Sequence, residues 1–109
     1  MATQKTKTGC CDDAAVVLPT DESAEQLAGL AWAIAHPARV RIVRLLIRRQ
    51  TCVCGEIVDE LPLAQSTVSE HLRILRAAGL VRVNDSGPRA GYCIVPSVLK
   101  RFKALLQAM

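Results

Sequence analysis

Along this chain, apolar residues recur every three or four positions in several stretches and every second position in two short ones. Leu27, Leu30, Ala31 and Ile34 keep helical spacing behind the acidic, cap-like "TDES", which predicts a first helix running to about His36. Pro37 is suited to the first position of a second helix, in which Ile42, Leu45 and Leu46 face inward while Arg41, Arg44 and Arg48 share the opposite side. "GEIVDEL" predicts a short helix that stops before Pro62, and "QSTVSEHLRILRAAG" a longer one that Gly79 terminates. "LVRVN" and "YCIV" read as strands around "DSGPRAG", whose glycines and proline suit a hairpin turn. A last helix runs from about Ser97 to the end, with Leu99, Phe102 and Leu106 along one side.

Two short helices joined by a tight turn and followed by a two-stranded hairpin describe a winged helix-turn-helix, a mainly α fold with a small β-hairpin wing. Residues 1–20 carry no sustained periodicity and are expected to form a flexible N-terminal arm, leaving 21–109 as the folded domain. A chain of 109 residues buries only a modest core unless a second copy covers part of it. Trp32, Tyr92 and Phe102 are the only aromatics, so Leu, Val, Ile and Ala must build the interior. The longest apolar run, "LAGLAWAIA", stops at His36, too short for a membrane span, and no signal peptide is evident; the expected location is the cytoplasm.

Charge is unevenly spread. Residues 1–35 have a balance of −3 and residues 36–109 a balance of +7, which makes a polyanion a fitting partner for the second part. The helix after Pro62 can be tested as a reader of DNA. Val68, Leu72 and Leu75 fall within a narrow arc that must face the core, while Ser66, Ser69, Glu70 and Arg73 cluster on the far side. Short hydroxyls and an arginine can approach a major groove closely and donate to base edges and phosphates. The same pattern also suits an ordinary amphipathic surface helix.

Cysteine usage is the other marked feature. Four of five thiols stand in two tight pairs, Cys10 with Cys11 and Cys52 with Cys54, and an odd count closes no disulfide framework. In a reducing compartment such pairs point to metal binding or redox chemistry. Asp12 and Asp13 would raise the thiol pKa values beside them, which makes poor nucleophiles. No Cys-x-x-Cys pair, phosphate-binding cysteine loop, Gly-rich nucleotide loop or metalloprotease histidine pair occurs, so no enzyme and no small organic substrate is expected.

The stretches "AIAHPARVRIVRLL", "GEIVDELPLAQSTVSEHLRILRAAGLVRV" and "DSGPRAGYCIV" together resemble the ArsR/SmtB family of metal-sensing repressors over most of residues 30–96. The resemblance implies a homodimer, joined through its first and last helices, that binds an inverted-repeat operator in double-stranded DNA and leaves when a metal or metalloid ion binds. The stripes Leu27 to Ile34 and Leu99 to Leu106 would then be dimer surface. By position, Gln65, Ser66, Thr67, Ser69 and Arg73 match the recognition-helix contacts, and Arg89 the wing contact. His71, beside Leu72, is read as a packing or hydrogen-bonding histidine, and His36, at a helix junction, likewise.

The zinc-type site of the family needs histidines and acids in the last helix, and "PSVLKRFKALLQAM" has neither. Thiol chemistry remains. The family's arsenic sensors, and its cadmium and lead sensors, carry Cys-Val-Cys before the turn; here Gly55 stands between that motif and Glu56, so ligand positions do not transfer one for one. Trivalent arsenic favours three sulfurs in a pyramid, for which Cys10, Cys11 and Cys52 suffice, and trivalent antimony shares that chemistry. Cadmium(II) or lead(II) would use Cys54 as a fourth ligand, although Cys54 also reads as a core residue. A redox-switched repressor with a disulfide between the arm and Cys52 stays open. Cys93, on the wing strand, is expected to pack inside.

Overall fold

The computed structural model describes residues 21–49, 54–85 and 91–109. In chain order the elements are α1 (Asp21–Ala33), α2 (Pro37–Arg49), α3 (Cys54–Glu60), α4 (Gln65–Ala77), β1 (Val81–Asn84), β2 (Gly91–Ile94) and α5 (Pro96–Gln107). This is the expected mainly helical architecture with a β-hairpin. Of the predicted site residues, Cys10, Cys11, Cys52 and Arg89 lie outside the described residues, as does the arm at 1–20. Cys54 stands at the first position of α3.

α1 stops at Ala33, three residues earlier than its periodicity predicts. A residue before proline is disfavoured in the helical region, and His36 is needed for a different task. Its Nδ1 accepts the backbone N–H of Ala38 at 3.0 Å, and its carbonyl accepts the N–H of Val40 at 3.1 Å. His36 is thus the N-cap of α2, with Pro37 at the first helical position, where a missing N–H costs nothing.

The end of α4 is set by Gly79. Its φ of 83° is the left-handed conformation that only glycine adopts without strain. The Gly79 N–H donates to the Arg76 carbonyl at 2.9 Å and the Leu80 N–H to the Leu75 carbonyl at 3.1 Å. Those two bonds make a Schellman motif, and both leucines are fully buried beside it. The turn aims the chain back along the domain into β1. β1 pairs antiparallel with β2 in the register Val81 with Ile94, Arg82 with Cys93, Val83 with Tyr92 and Asn84 with Gly91.

One aliphatic core joins these elements. Ile42, Val43, Leu45 and Leu46 of α2, Ile57 of α3, Val68, Leu72 and Leu75 of α4, and Leu80 and Val81 at the wing base form a continuous buried cluster. The inward positions predicted for α2 and α4 are all in it. α5 packs against α1, where Arg101 donates two hydrogen bonds to Oε1 of Gln26 at 3.2 and 3.1 Å. This pairing divides the two predicted dimer stripes: Leu30 and Phe102 are buried within the chain, whereas Trp32 is 61% and Leu106 45% exposed. Among the described residues no helix is long and apolar enough to cross a membrane.

Candidate nucleic-acid interface

α4 is held to the core by one side only. Val68, Leu72 and Leu75 are fully buried, and truncating a leucine so placed costs about 2–5 kcal/mol, so the helix is rigidly seated. Every polar residue assigned to DNA contact on this helix lies on the opposite, solvent side: Gln65, Ser66, Thr67, Ser69 and Arg73 are all exposed. The helix starts after Ala64, whose side chain offers no cap, and its first turn has no acidic residue. The unpaired N–H groups of a helix N-terminus favour anions, phosphate among them. A row of small hydroxyls above such an end allows close approach to a polyanion.

Arg73 does not stand alone on that face. Its guanidinium grips the Glu70 carboxylate in a two-pronged contact, with Nε donating to Oε1 at 3.0 Å and a terminal nitrogen donating to Oε2. Hydrogen bonding from Arg73 holds the Glu70 carboxyl below the usual carboxylate range, and the same contact raises the Arg73 guanidinium. The pair orients the arginine and also sets a negative charge beside it.

Behind the helix lies a polar cluster that periodicity alone does not reveal. Arg39 belongs to α2 and is only 8% exposed, unlike Arg41, Arg44 and Arg48 on the solvent side. Its Nε donates to the carbonyl of Ala33 at 2.6 Å and a terminal nitrogen donates to the carbonyl of Trp32 at 3.3 Å. Those carbonyls end α1, so a cation satisfies the negative pole of that helix. The other terminal nitrogen meets Nδ1 of His71 at 3.3 Å, and the guanidinium sits 5.4 Å from the centre of the Trp32 ring.

An arginine can only donate, so His71 accepts through Nδ1 and carries its ring proton on Nε2. His71 is 8% exposed, and its ring centre is 4.5 Å from that of His36. Burial lowers the His71 pKa, and the neighbouring His36 and Arg39 lower it further. The expectation that His71 packs and hydrogen-bonds, and does not read bases, agrees with this placement. Arg39 is the residue sequence reading missed. Its only signal was its place on the apolar arc of α2, beside Ala38 and Ile42, where an arginine must find buried acceptors.

The thiols are the second candidate chemistry. Among the described residues no group of three His, Cys, Asp or Glu side chains is placed to hold a metal ion. Cys93 is buried on β2, as expected. The last helix offers only Ser, Lys, Arg and Gln as polar side chains, and the sequence-predicted donors Cys10, Cys11 and Cys52 lie outside the described residues.

Comparison with known proteins agrees with this geometry. Residues 36–83 match the model of the bacterial regulatory proteins of the arsR family. An uncharacterized HTH-type transcriptional regulator of Methanocaldococcus jannaschii is 36% identical over 89 residues, which span 81% of this chain and 99% of that protein. A solved structure of a possible transcriptional regulator for arsenical resistance is 31% identical, with a TM-score of 0.63 over 76% of this chain and 81% of that one. The homodimeric winged helix-turn-helix DNA-binding domain of a possible ArsR-family regulator from Mycobacterium bovis is 27% identical, with a TM-score of 0.65 over 88% of each chain. The matched region takes in α2, α3, α4 and β1, the parts that carry and aim the exposed helix, and the chain belongs to the ArsR family of DNA-binding transcriptional regulators.

Proposed function

We propose that this protein is a homodimeric repressor that reads an inverted-repeat operator through α4 and the wing and is released by trivalent arsenic. The observation that carries the reading is the exposed polar face of α4, with Gln65, Ser66, Thr67, Ser69 and Arg73 displayed above a fully buried apolar back. Arg89 in the wing is the proposed contact to the flanking backbone. A homodimer places two such helices about one DNA turn apart, which an inverted repeat matches. The M. bovis domain, homodimeric and similar along most of its length, supports that assembly.

For the inducer, the proposed ligands are Cys10, Cys11 and Cys52, with Cys54 joining when four thiolates are required, as for cadmium or lead. Support comes from the donor set: the last helix lacks histidines and acids, and four of the five thiols stand in two close pairs. The similarity to a possible transcriptional regulator for arsenical resistance agrees with arsenic as the ion. Once bound, the ion supplies only covalent tethers between thiolates. Cys52 precedes Cys54, the first residue of α3, by two positions, and α3 packs with α4. A tether from the arm to this point biases the helix pair that sits on DNA. Coupling of this kind is typically about 1–3 kcal/mol and must be reciprocal.

The test is operator binding by fluorescence anisotropy with and without arsenite. Wild type is expected to dissociate, while Cys10→Ser, Cys11→Ser and Cys52→Ser bind normally and fail to dissociate, since a protonated hydroxyl cannot replace a thiolate. Cys93→Ser should still respond. Release of the Cys10→Ser/Cys11→Ser double variant at normal arsenite concentrations would remove the arm from the sensor. Release by cadmium or lead but not arsenite would reassign the ion, and release by mild peroxide alone would make the device a redox switch. Operator DNA should also weaken arsenite binding by the factor by which arsenite weakens operator binding.

A further inference from the structure

A groove of about 600 Å³ lies between the C-terminal half of α2, the wing and α5, away from the exposed face of α4. Its apolar lining includes Leu46 and Ile47 of α2, Cys93 of β2, and Pro96 and Leu99 at the start of α5. Ile47 is 47% exposed, an unusual position for a large aliphatic side chain on an otherwise arginine-rich helix surface. The strand register explains why the wing contributes here. Arg82 lies directly across from Cys93, so the two side chains leave the hairpin on the same face, and Asn84, two residues on, follows them.

The rim of this groove is cationic. Arg82 of β1 and Lys100 and Lys103 of α5 line it, and among the described residues no aspartate or glutamate does. The two lysines are three residues apart on one helix and therefore share a face. None of the three forms an ion pair with a described residue. Three like charges gathered over apolar walls repel one another, and an anion with an apolar body relieves both the repulsion and the exposure of Ile47. Ligand sites are typically about 300–1,000 Å³, mostly apolar, with few polar groups that fix orientation.

We propose that this groove binds an amphipathic monoanion, such as a medium-chain carboxylate, with its chain on Leu46, Ile47 and Leu99 and its carboxylate held by Arg82, Lys100 and Lys103. The site uses none of the residues assigned to DNA or arsenic, so it stands or falls independently of those assignments.

Titration calorimetry on the full-length protein with decanoate, below its micellar concentration, tests the proposal against decanol and decylamine. Decanoate should bind at least about tenfold more tightly than either, because a charged hydrogen-bonded contact is lost with the neutral chain and reversed with the amine. The exposed pair Lys100→Glu/Lys103→Glu, which leaves the core untouched, should abolish binding, and Ile47→Glu should weaken it strongly. Arg76→Glu, a charge reversal outside the groove, should leave it unchanged. In a protein whose other four cysteines are serine, decanoate should slow alkylation of Cys93 by N-ethylmaleimide. Equal binding of decanoate and decanol, retention of binding in the double lysine variant, or no binding at all would overturn the proposal. So would protection of Cys93 that appears only as protein concentration rises, because a second copy would then be the occupant.

Discussion

At the scale of single residues, Arg39 carries more structure than any other charged side chain described here. One guanidinium closes the carbonyl end of α1, contacts the face of Trp32 and fixes the ring orientation of His71 on α4. Arg39→Met keeps much of the packing volume but leaves two carbonyls and a ring nitrogen without their donor, and should cost about 1.5–3 kcal/mol in urea unfolding. Arg39→Lys should recover only part of that, since a point-like ammonium cannot span acceptors on two helices as a planar fork does. His71 adds a pH dependence. Its pKa is depressed in the folded protein, so the unfolded chain binds the extra proton first as pH falls. The stability it contributes is complete above about pH 6.5 and is lost as pH drops from there through the lowered folded value. His71→Gln, which keeps an acceptor and does not titrate, should flatten the melting-temperature profile in that acidic window; an unchanged slope would show that another group governs it.

At the scale of elements, α4 combines two demands that its sequence separates by face. The buried arc anchors the helix to the core, and the exposed arc leaves its N-terminal end open to an anion. Arg73→Ala should weaken operator binding by about ten- to a hundredfold while leaving the melting temperature close to wild type, because the arginine makes no core contact. Glu70 tests the role of the ion pair. If Glu70 restrains Arg73 and repels phosphate, Glu70→Gln should tighten binding to operator and to unrelated DNA alike, by up to about fivefold. If Glu70 instead presents Arg73 to a particular base, the same variant should lose discrimination between operator and unrelated DNA. Competition binding at fixed salt separates the two outcomes.

For the whole molecule, the question is what covers the apolar surface that the chain leaves open. α1 and α5 pack on each other, yet Trp32 and Leu106 remain largely exposed on them. A groove of about 510 Å³ lies beside Trp32, between α1, the end of α4 and the start of α5. In the proposed homodimer, a second copy docked there would bury this surface and supplement the small core of a short chain. Trp32→Ala should raise the dissociation constant of the dimer about ten- to a hundredfold, the equivalent of one large apolar side chain at an interface, as measured by sedimentation. Trp32 is the only tryptophan, so its emission should also shift to the red when the protein is diluted below that constant.

Local sequence determined a large part of this architecture. Apolar spacing located all five helices and both strands, because a helix or strand must bury one side and its period is written in the chain. Pro37 and Gly79 marked a start and a stop through backbone constraints that need no partner. The exposed face of α4 was legible for the same reason, and the short motifs around it carried the family. Tertiary structure decided what depends on residues distant in sequence. His36 left α1 to cap α2, and Arg39 turned inward because the end of α1 and a ring on α4 supply its acceptors. Leu30 and Phe102 were divided from Trp32 and Leu106 by the packing of α5 on α1. The anion groove exists only because the hairpin register brings Arg82 and Cys93 to the face opposite Lys100 and Lys103. Periodicity shows which side of an element is buried; which polar group is buried there, and against what, depends on which donors and acceptors the folded chain brings within reach.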